Sequence, residues 1–105
     1  MKLYIGGAYQ GQEELARREN PGVEIFLDFQ LKFKNFDGDA CACAEAFVRE
    51  HPDAVVVADE IGCGVVPMDR NDRIWREAAG RALCVIAQKA ETVIRVTCGI
   101  GVRIK

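Results

Sequence analysis

Residues 6–13 read Gly6-Gly7-Ala8-Tyr9-Gln10-Gly11-Gln12-Glu13, set between a short apolar run and a helix-forming run. Spaced glycines ahead of a helix let backbone N–H groups wrap an anion, with the positive end of the helix dipole behind them. A working phosphate loop would read G-x-x-x-x-G-K-S/T, with lysine on the phosphates and the hydroxyl on Mg²⁺. Gly6 and Gly11 keep that spacing, but Gln12 stands in place of the lysine and Glu13 in place of the hydroxyl. Loss of a preorganised charge stabiliser costs about 10²–10³ in rate. A carboxylate about 4 Å from a phosphate charge is opposed by roughly 4 kcal/mol at an effective dielectric near 20. The same carboxylate gains about 0.3–1 kcal/mol from a helix dipole in the first turn. Glu13 is therefore expected to stabilise the empty loop and to disfavour a triphosphate. A plain strand–turn–helix would also account for the pattern.

Two further segments carry unusual residues. Asp28 ends an apolar run, where a phosphate-loop enzyme would place a Mg²⁺-organising aspartate; a turn or cap residue is the other reading. Asp59-Glu60-Ile61-Gly62-Cys63-Gly64-Val65-Val66-Pro67 is followed by Arg73, Arg76 and Arg81. Glu60, Gly62, Gly64, Pro67 and these arginines either form a pocket wall or subunit contact, or the arginines cover a helix surface and pair with Glu77 or Asp72.

The elements that must position these residues follow from hydrophobic periodicity and breakers. Lys2–Gly6 reads as a strand and Gln12–Glu19 as a helix stopped by Asn20-Pro21-Gly22. Val23–Phe29 reads as a strand buried on both faces, since its apolar residues run on rather than alternate. Asp39 is the expected N-cap of a helix over Ala40–Glu50, with Cys43, Ala46 and Phe47 at helical spacing. Ala54–Ala58 is β-branched and wholly apolar, the most strand-like stretch in the chain. A helix is expected from about Asn71 to Ala90, with Ile74, Trp75, Ala78, Ala82, Val85 and Ile86 along one side. Thr92–Cys98 and Val102–Ile104 are the last strands, separated by a turn over Gly99–Gly101. Strands alternating with helices imply a mainly parallel sheet with helices on both faces, and ligands in such a sheet bind beyond the strands' carboxyl ends.

At 105 residues, 50% hydrophobic and 29% charged, the composition is that of one globular domain over 1–105. A formal charge of -2 gives no basic patch for nucleic acid. No apolar run is long enough for a membrane span, and Met1–Ile5 is expected to be a first strand rather than a signal peptide. Five cysteines, an odd number with no export signal, favour a reduced cytoplasmic setting. They are expected to pack as small hydrophobes rather than bind metal, since Cys41-Ala-Cys43 lacks a ligand spacing. The single histidine, His51, is expected at a helix C-terminus.

The segment from Asp59 onward resembles the adenosylcobinamide kinase/guanylyltransferase family, whose pattern is N-E-V-G-x-G-I-V-P followed by R-x-x-R-D-x-x-G-R-x-N. Glu60, Gly62, Gly64, Pro67, Arg73, Arg76, Gly80 and Arg81 match it. The family's opening, a strand then G-G-x-x-S-G-K-S, is similar to Leu3–Glu13, and its D-x-L-T-x-W segment looks like Asp28 onward. The resemblance implies a P-loop NTPase-like three-layer α/β fold and GTP or ATP bound with Mg²⁺. It also implies a corrinoid substrate, a homotrimer, and a guanylyl-accepting histidine between the first helix and the aspartate-bearing strand. Here Glu19 leads almost directly to Pro21–Asp28, and no histidine lies between them. The expected protein is a family homologue weakened or inactive in catalysis. The alternatives are a surviving kinase with an altered loop, or a non-catalytic assembly or regulatory subunit.

Overall fold

The computed structural model describes residues 1–62 and 66–105, so Gly64, with Cys63 and Val65, lies outside the described residues. Strand β1 (Lys2–Gly6) is followed by helix α1 (Gln12–Glu19), strand β2 (Ile25–Phe26) and a 3₁₀ turn over Phe29–Phe33. Helix α2 (Ala40–Glu50), strand β3 (Val55–Asp59), helix α3 (Arg70–Lys89) and strands β4 (Thr92–Thr97) and β5 (Ile100–Arg103) complete the described elements. The sheet order is β2-β3-β1-β4-β5, with the first four strands parallel and β5 antiparallel to β4.

The alternation of side chains on β1 and β3 sorts the core into two layers. Leu3, Val56 and Ala58 face α2 and α3, while Tyr4, Val55 and Val57 face Leu15 and Ala16 of α1. The result is the expected three-layer α/β arrangement with helices on both faces. Asp39 caps α2 as its residue type demands, accepting from the N–H groups of Cys41 and Ala42.

Three expectations need correction. The run Val23–Phe29 is not a strand buried on both faces. Only Ile25 and Phe26 pair, on the sheet's edge beside β3, and Val23 and Leu27 are exposed. Asp28 takes a left-handed conformation (φ 53°) that breaks the strand and starts the 3₁₀ turn. On α3 the expected side does face the core, Trp75, Ala78, Ala82, Val85 and Ile86 packing there together with Ala79 and Leu83, but Ile74 is half exposed.

The last hairpin turns at Cys98 and Gly99, both with positive φ as a two-residue type I′ turn requires. Gly101 pairs inside β5 instead of turning the chain. A Cβ there would lie 2.7 Å from Leu15 Cδ2 and 2.9 Å from Ile94 Cγ2, so glycine marks a close approach of α1.

Candidate functional site

β1 and β3 are neighbours whose following connections lead to opposite sides of the sheet, toward β2 and toward β4 respectively. A crevice opens at the carboxyl ends of such a pair, where ligands bind in open α/β sheets. Here it is a cleft of about 580 Å³ lined by Ala8, Tyr9, Gly11, Gln12, Glu13, Glu14, Leu27, Asp28, Val57 and Asp59. Four of these ten carry carboxylates and none is lysine or arginine. The lining thus carries four acids and no basic side chain to balance them.

The glycine loop is strand–loop–helix, as its spacing predicts. Its tip is tethered to the last hairpin: Gln10 Oε1 accepts from Cys98 N–H at 2.7 Å, and the Gln10 carbonyl accepts from Gly99 N–H at 2.7 Å. Gly11 precedes α1 with φ 90°, a conformation that favours glycine. Gly6 is required for another reason: a Cβ on it would lie 2.3 Å from the Val96 carbonyl oxygen. Gly7 has no such constraint, its nearest would-be neighbour being Gln10 Cγ at 3.7 Å.

Gln12 is the first residue of α1 and is buried. Its amide nitrogen donates inward, meeting the carbonyls of Gly6 at 3.0 Å and Gly7 at 2.9 Å and Asp59 Oδ1 at 3.0 Å. The residue that replaces the expected lysine thus ties the loop to the end of β3. Glu13 instead pairs with Arg17 one turn along the helix, at 3.1 Å and largely exposed, a contact of about 0.3–0.5 kcal/mol.

Asp59, which opens the third segment but is assigned no role of its own by the sequence, lines the cleft. Its backbone N–H donates to Gln30 Oε1 at 2.9 Å, and Gln30 is itself buried, with its carbonyl accepting from Trp75 Nε1 at 2.7 Å. A polar chain therefore runs from α3 through the 3₁₀ turn and β3 to the glycine loop. Burial, and then the charge of Asp28, push the Asp59 carboxyl above its ordinary value of 3.8. A raised carboxyl favours the fold while protonated, so this contribution is fully present below about pH 3.8 and is lost as pH rises through the folded value. Asp59→Asn mimics the protonated acid and can still accept from Gln12. It is expected to raise Tm at pH 7, with the gain disappearing toward pH 4 in thermal melts across that range.

Asp28 lies in the same cleft, close enough for its charge to act on Asp59. Mg²⁺ is usually held by one or two carboxylates together with substrate phosphates. Among the described residues no group of three or more histidine, cysteine, aspartate or glutamate side chains converges as a metal set. The residues present do not fit a Mg²⁺ held by the protein alone.

The third segment is divided between places. Glu60 lines a second cleft, of about 370 Å³, on the other flank of the loop, together with Gly6, Gly7, Gln10 and Arg95. Arg73 donates to the carbonyls of Pro67 at 3.1 Å and Met68 at 2.6 Å, and Arg76 donates to the Gly62 carbonyl. Arg81 pairs with Glu77. None of the three arginines lines either cleft. Two of them fasten the loop before α3 through its carbonyls, and the third makes the expected surface pair.

Among the described cysteines, Cys43 packs against the core as a small hydrophobe, but Cys84 and Cys98 are exposed. His51 ends α2 as expected, its N–H donating to the Phe47 carbonyl and its ring lying against Phe26 and Phe47. No helix among the described residues is long and apolar enough to cross a membrane.

A mainly parallel sheet with a glycine loop opening a helix at its switch point defines a P-loop-like α/β domain. The sequence model of the cobinamide kinase / cobinamide phosphate guanyltransferase family matches residues 23–104, and the chain belongs to that family. The matched region leaves out the Gly6–Glu13 loop. The chain is 35% identical over 78 residues to the bifunctional adenosylcobalamin biosynthesis protein CobU of Escherichia coli, covering 74% of this chain and 43% of that protein. It is 45% identical over 51 residues to the protein of the same name from Salmonella typhimurium, covering 49% of this chain and 28% of that protein. The alignments thus span less than half the length of either relative.

Proposed function

We propose that this protein is a cobalamin-biosynthesis homologue that keeps the family scaffold and has lost triphosphate-dependent kinase and guanylyl-transfer chemistry. The observation that carries this reading is the Gln12 side chain. Its amide nitrogen is turned onto the Gly6 and Gly7 carbonyls and Asp59, where a phosphate loop needs a cation free to reach the ligand. The surroundings add to the effect. Glu13, Glu14, Asp28 and Asp59 line the cleft, Arg17 partners only Glu13 from outside it, and each unpaired carboxylate near 4 Å opposes a phosphate by roughly 4 kcal/mol at an effective dielectric near 20. Asp28, placed by the resemblance at the Mg²⁺ position, would need a bound phosphate to complete a metal shell. Isothermal titration with Mg·GTP and Mg·ATP is expected to give no saturable heat up to millimolar nucleotide. Micromolar binding by the wild-type chain, or phosphate transfer to adenosylcobinamide, would refute the reading and favour a working kinase with an altered loop.

A further inference from the structure

The three acceptors that Gln12 meets at 3.0 Å or less are Gly6 O, Gly7 O and Asp59 Oδ1, whereas an amide nitrogen has only two hydrogens to give. An ammonium has three. The Gly6 carbonyl also accepts from Glu60 N–H at 2.7 Å, so a donor at this place need satisfy only the Gly7 carbonyl and Asp59 in full, which an ammonium could do with a proton to spare. The backbone that carries Asp59 is anchored as well. The Asp59 N–H is fixed by Gln30, which is buried and tied by its own carbonyl to Trp75. We propose that Asp59 is the specificity-determining residue of this cleft, its carboxylate engaging whatever donor residue 12 presents and so closing the glycine loop to polyphosphate. The proposal rests on the reading that the wild-type loop does not grip polyphosphate, and it adds that restoring the lysine alone does not reopen it.

The expected behaviour of the Q12K variant follows from charge. The ammonium it introduces sits one bond farther from the backbone than the Gln12 amide nitrogen and arrives among two carbonyls and an acid. It is neutralised there, and a nucleotide has to compete for it with a carboxylate that already faces residue 12. Replacing Asp59 by asparagine keeps an acceptor of the same shape and removes the competing charge.

Four proteins test this: wild type, Q12K, Q12K/E13S and Q12K/E13S/D59N. The E13S change removes the other acid that would face the phosphates. Each is titrated with Mg·GTP and Mg·ATP, with circular dichroism confirming the fold. The wild type and Q12K/E13S are expected to bind no better than each other, and the triple variant at least about tenfold tighter than Q12K/E13S, the scale of one displaced charge pair. In addition, NMR titration of the Asp59 carboxyl is expected to show a lower midpoint in Q12K than in the wild type, as an ion pair requires. If Q12K/E13S binds as tightly as the triple variant, or the triple variant binds no better than Q12K/E13S, Asp59 is not the determinant. Micromolar binding by the wild type would instead overturn the functional reading itself. Should the triple variant fail to fold, the Asp59 midpoint in Q12K decides: an unchanged value sinks the proposal.

Discussion

Gly6→Ala is expected to lower Tm by more than about 10 °C, while Gly7→Ala, one residue along, leaves it unchanged or slightly raised. The difference lies in what each added Cβ meets. At Gly6 it would sit 2.3 Å from the Val96 carbonyl oxygen and 3.3 Å from its carbon, both backbone atoms of the neighbouring strand. No side chain can rotate to relieve that clash, so β1 and β4 must part. β1 is the central strand, paired with β3 and β4. Overpacking in a well-filled core costs about 1–3 kcal/mol where side chains can yield, and a backbone collision belongs at or above that limit. Each kcal/mol is worth roughly 4–8 °C of Tm in a domain of about this size. Gly7 is not in the left-handed region and an added Cβ would meet only Gln10 Cγ at 3.7 Å, an ordinary contact, so alanine there mainly restricts the unfolded chain, a gain of about 0.4–1 kcal/mol. Differential scanning calorimetry of the two variants measures the contrast. Equal melting temperatures would mean that Gly6 serves the phosphate-loop pattern alone, with no strand pressed against it.

That contrast shows where sequence reading was informative and where it stopped. The bounds of β1, α1 and α2 are legible because local signals agree: an apolar run ending in glycine, a breaker after Glu19, an aspartate cap before Ala40. The long apolar run Val23–Phe29 misleads, because continuous hydrophobicity records burial without saying against what. Ile25 and Phe26 pair in the sheet, whereas Phe29 turns away to pack on Phe33 and Phe47. Gly101 misleads in the opposite sense. Glycine reads as a turn, but here it answers a close approach from Leu15 that no local pattern records. At the site, the replacements at Gln12 and Glu13 are visible in sequence, and their consequence for charge can be argued from residue type. The destination of the Gln12 amide cannot, since its partner Asp59 lies 47 residues away. The one available signal was an acid closing the apolar run of β3 at its carboxyl end, beside the strand that leads to Asp28. Arg73 and Arg76 illustrate the same limit. Their spacing identifies the family pattern, but only the folded chain shows that they hold loop carbonyls.

Phe47→Ala is the other large effect expected, and it reaches the cleft through packing. Phe47 is buried on α2, with its ring 4.9 Å from Phe26 at 89° and 4.9 Å from Phe29 at 63°. Such edge-on pairs add about 0.5–1.5 kcal/mol beyond their buried area, and truncating a buried phenylalanine to alanine costs about 3–5 kcal/mol in total. Against a typical stability of about 5–15 kcal/mol, that is a large share. Phe47→Leu, which fills most of the volume, is expected to lose less. The consequence for the site follows from the chain of contacts. Phe29 opens the 3₁₀ turn that carries Gln30, and Gln30 accepts from the Asp59 N–H. With the Phe47 ring gone, this turn loses a wall of its packing while β1 and β4 keep theirs. Amide exchange in Phe47→Ala should therefore accelerate at Asp59 more than at Leu3 or Val93, which pair within the sheet's centre. Uniform acceleration across all three would mean that the aromatic cluster supports the fold as a whole and does not selectively hold the acid in the cleft.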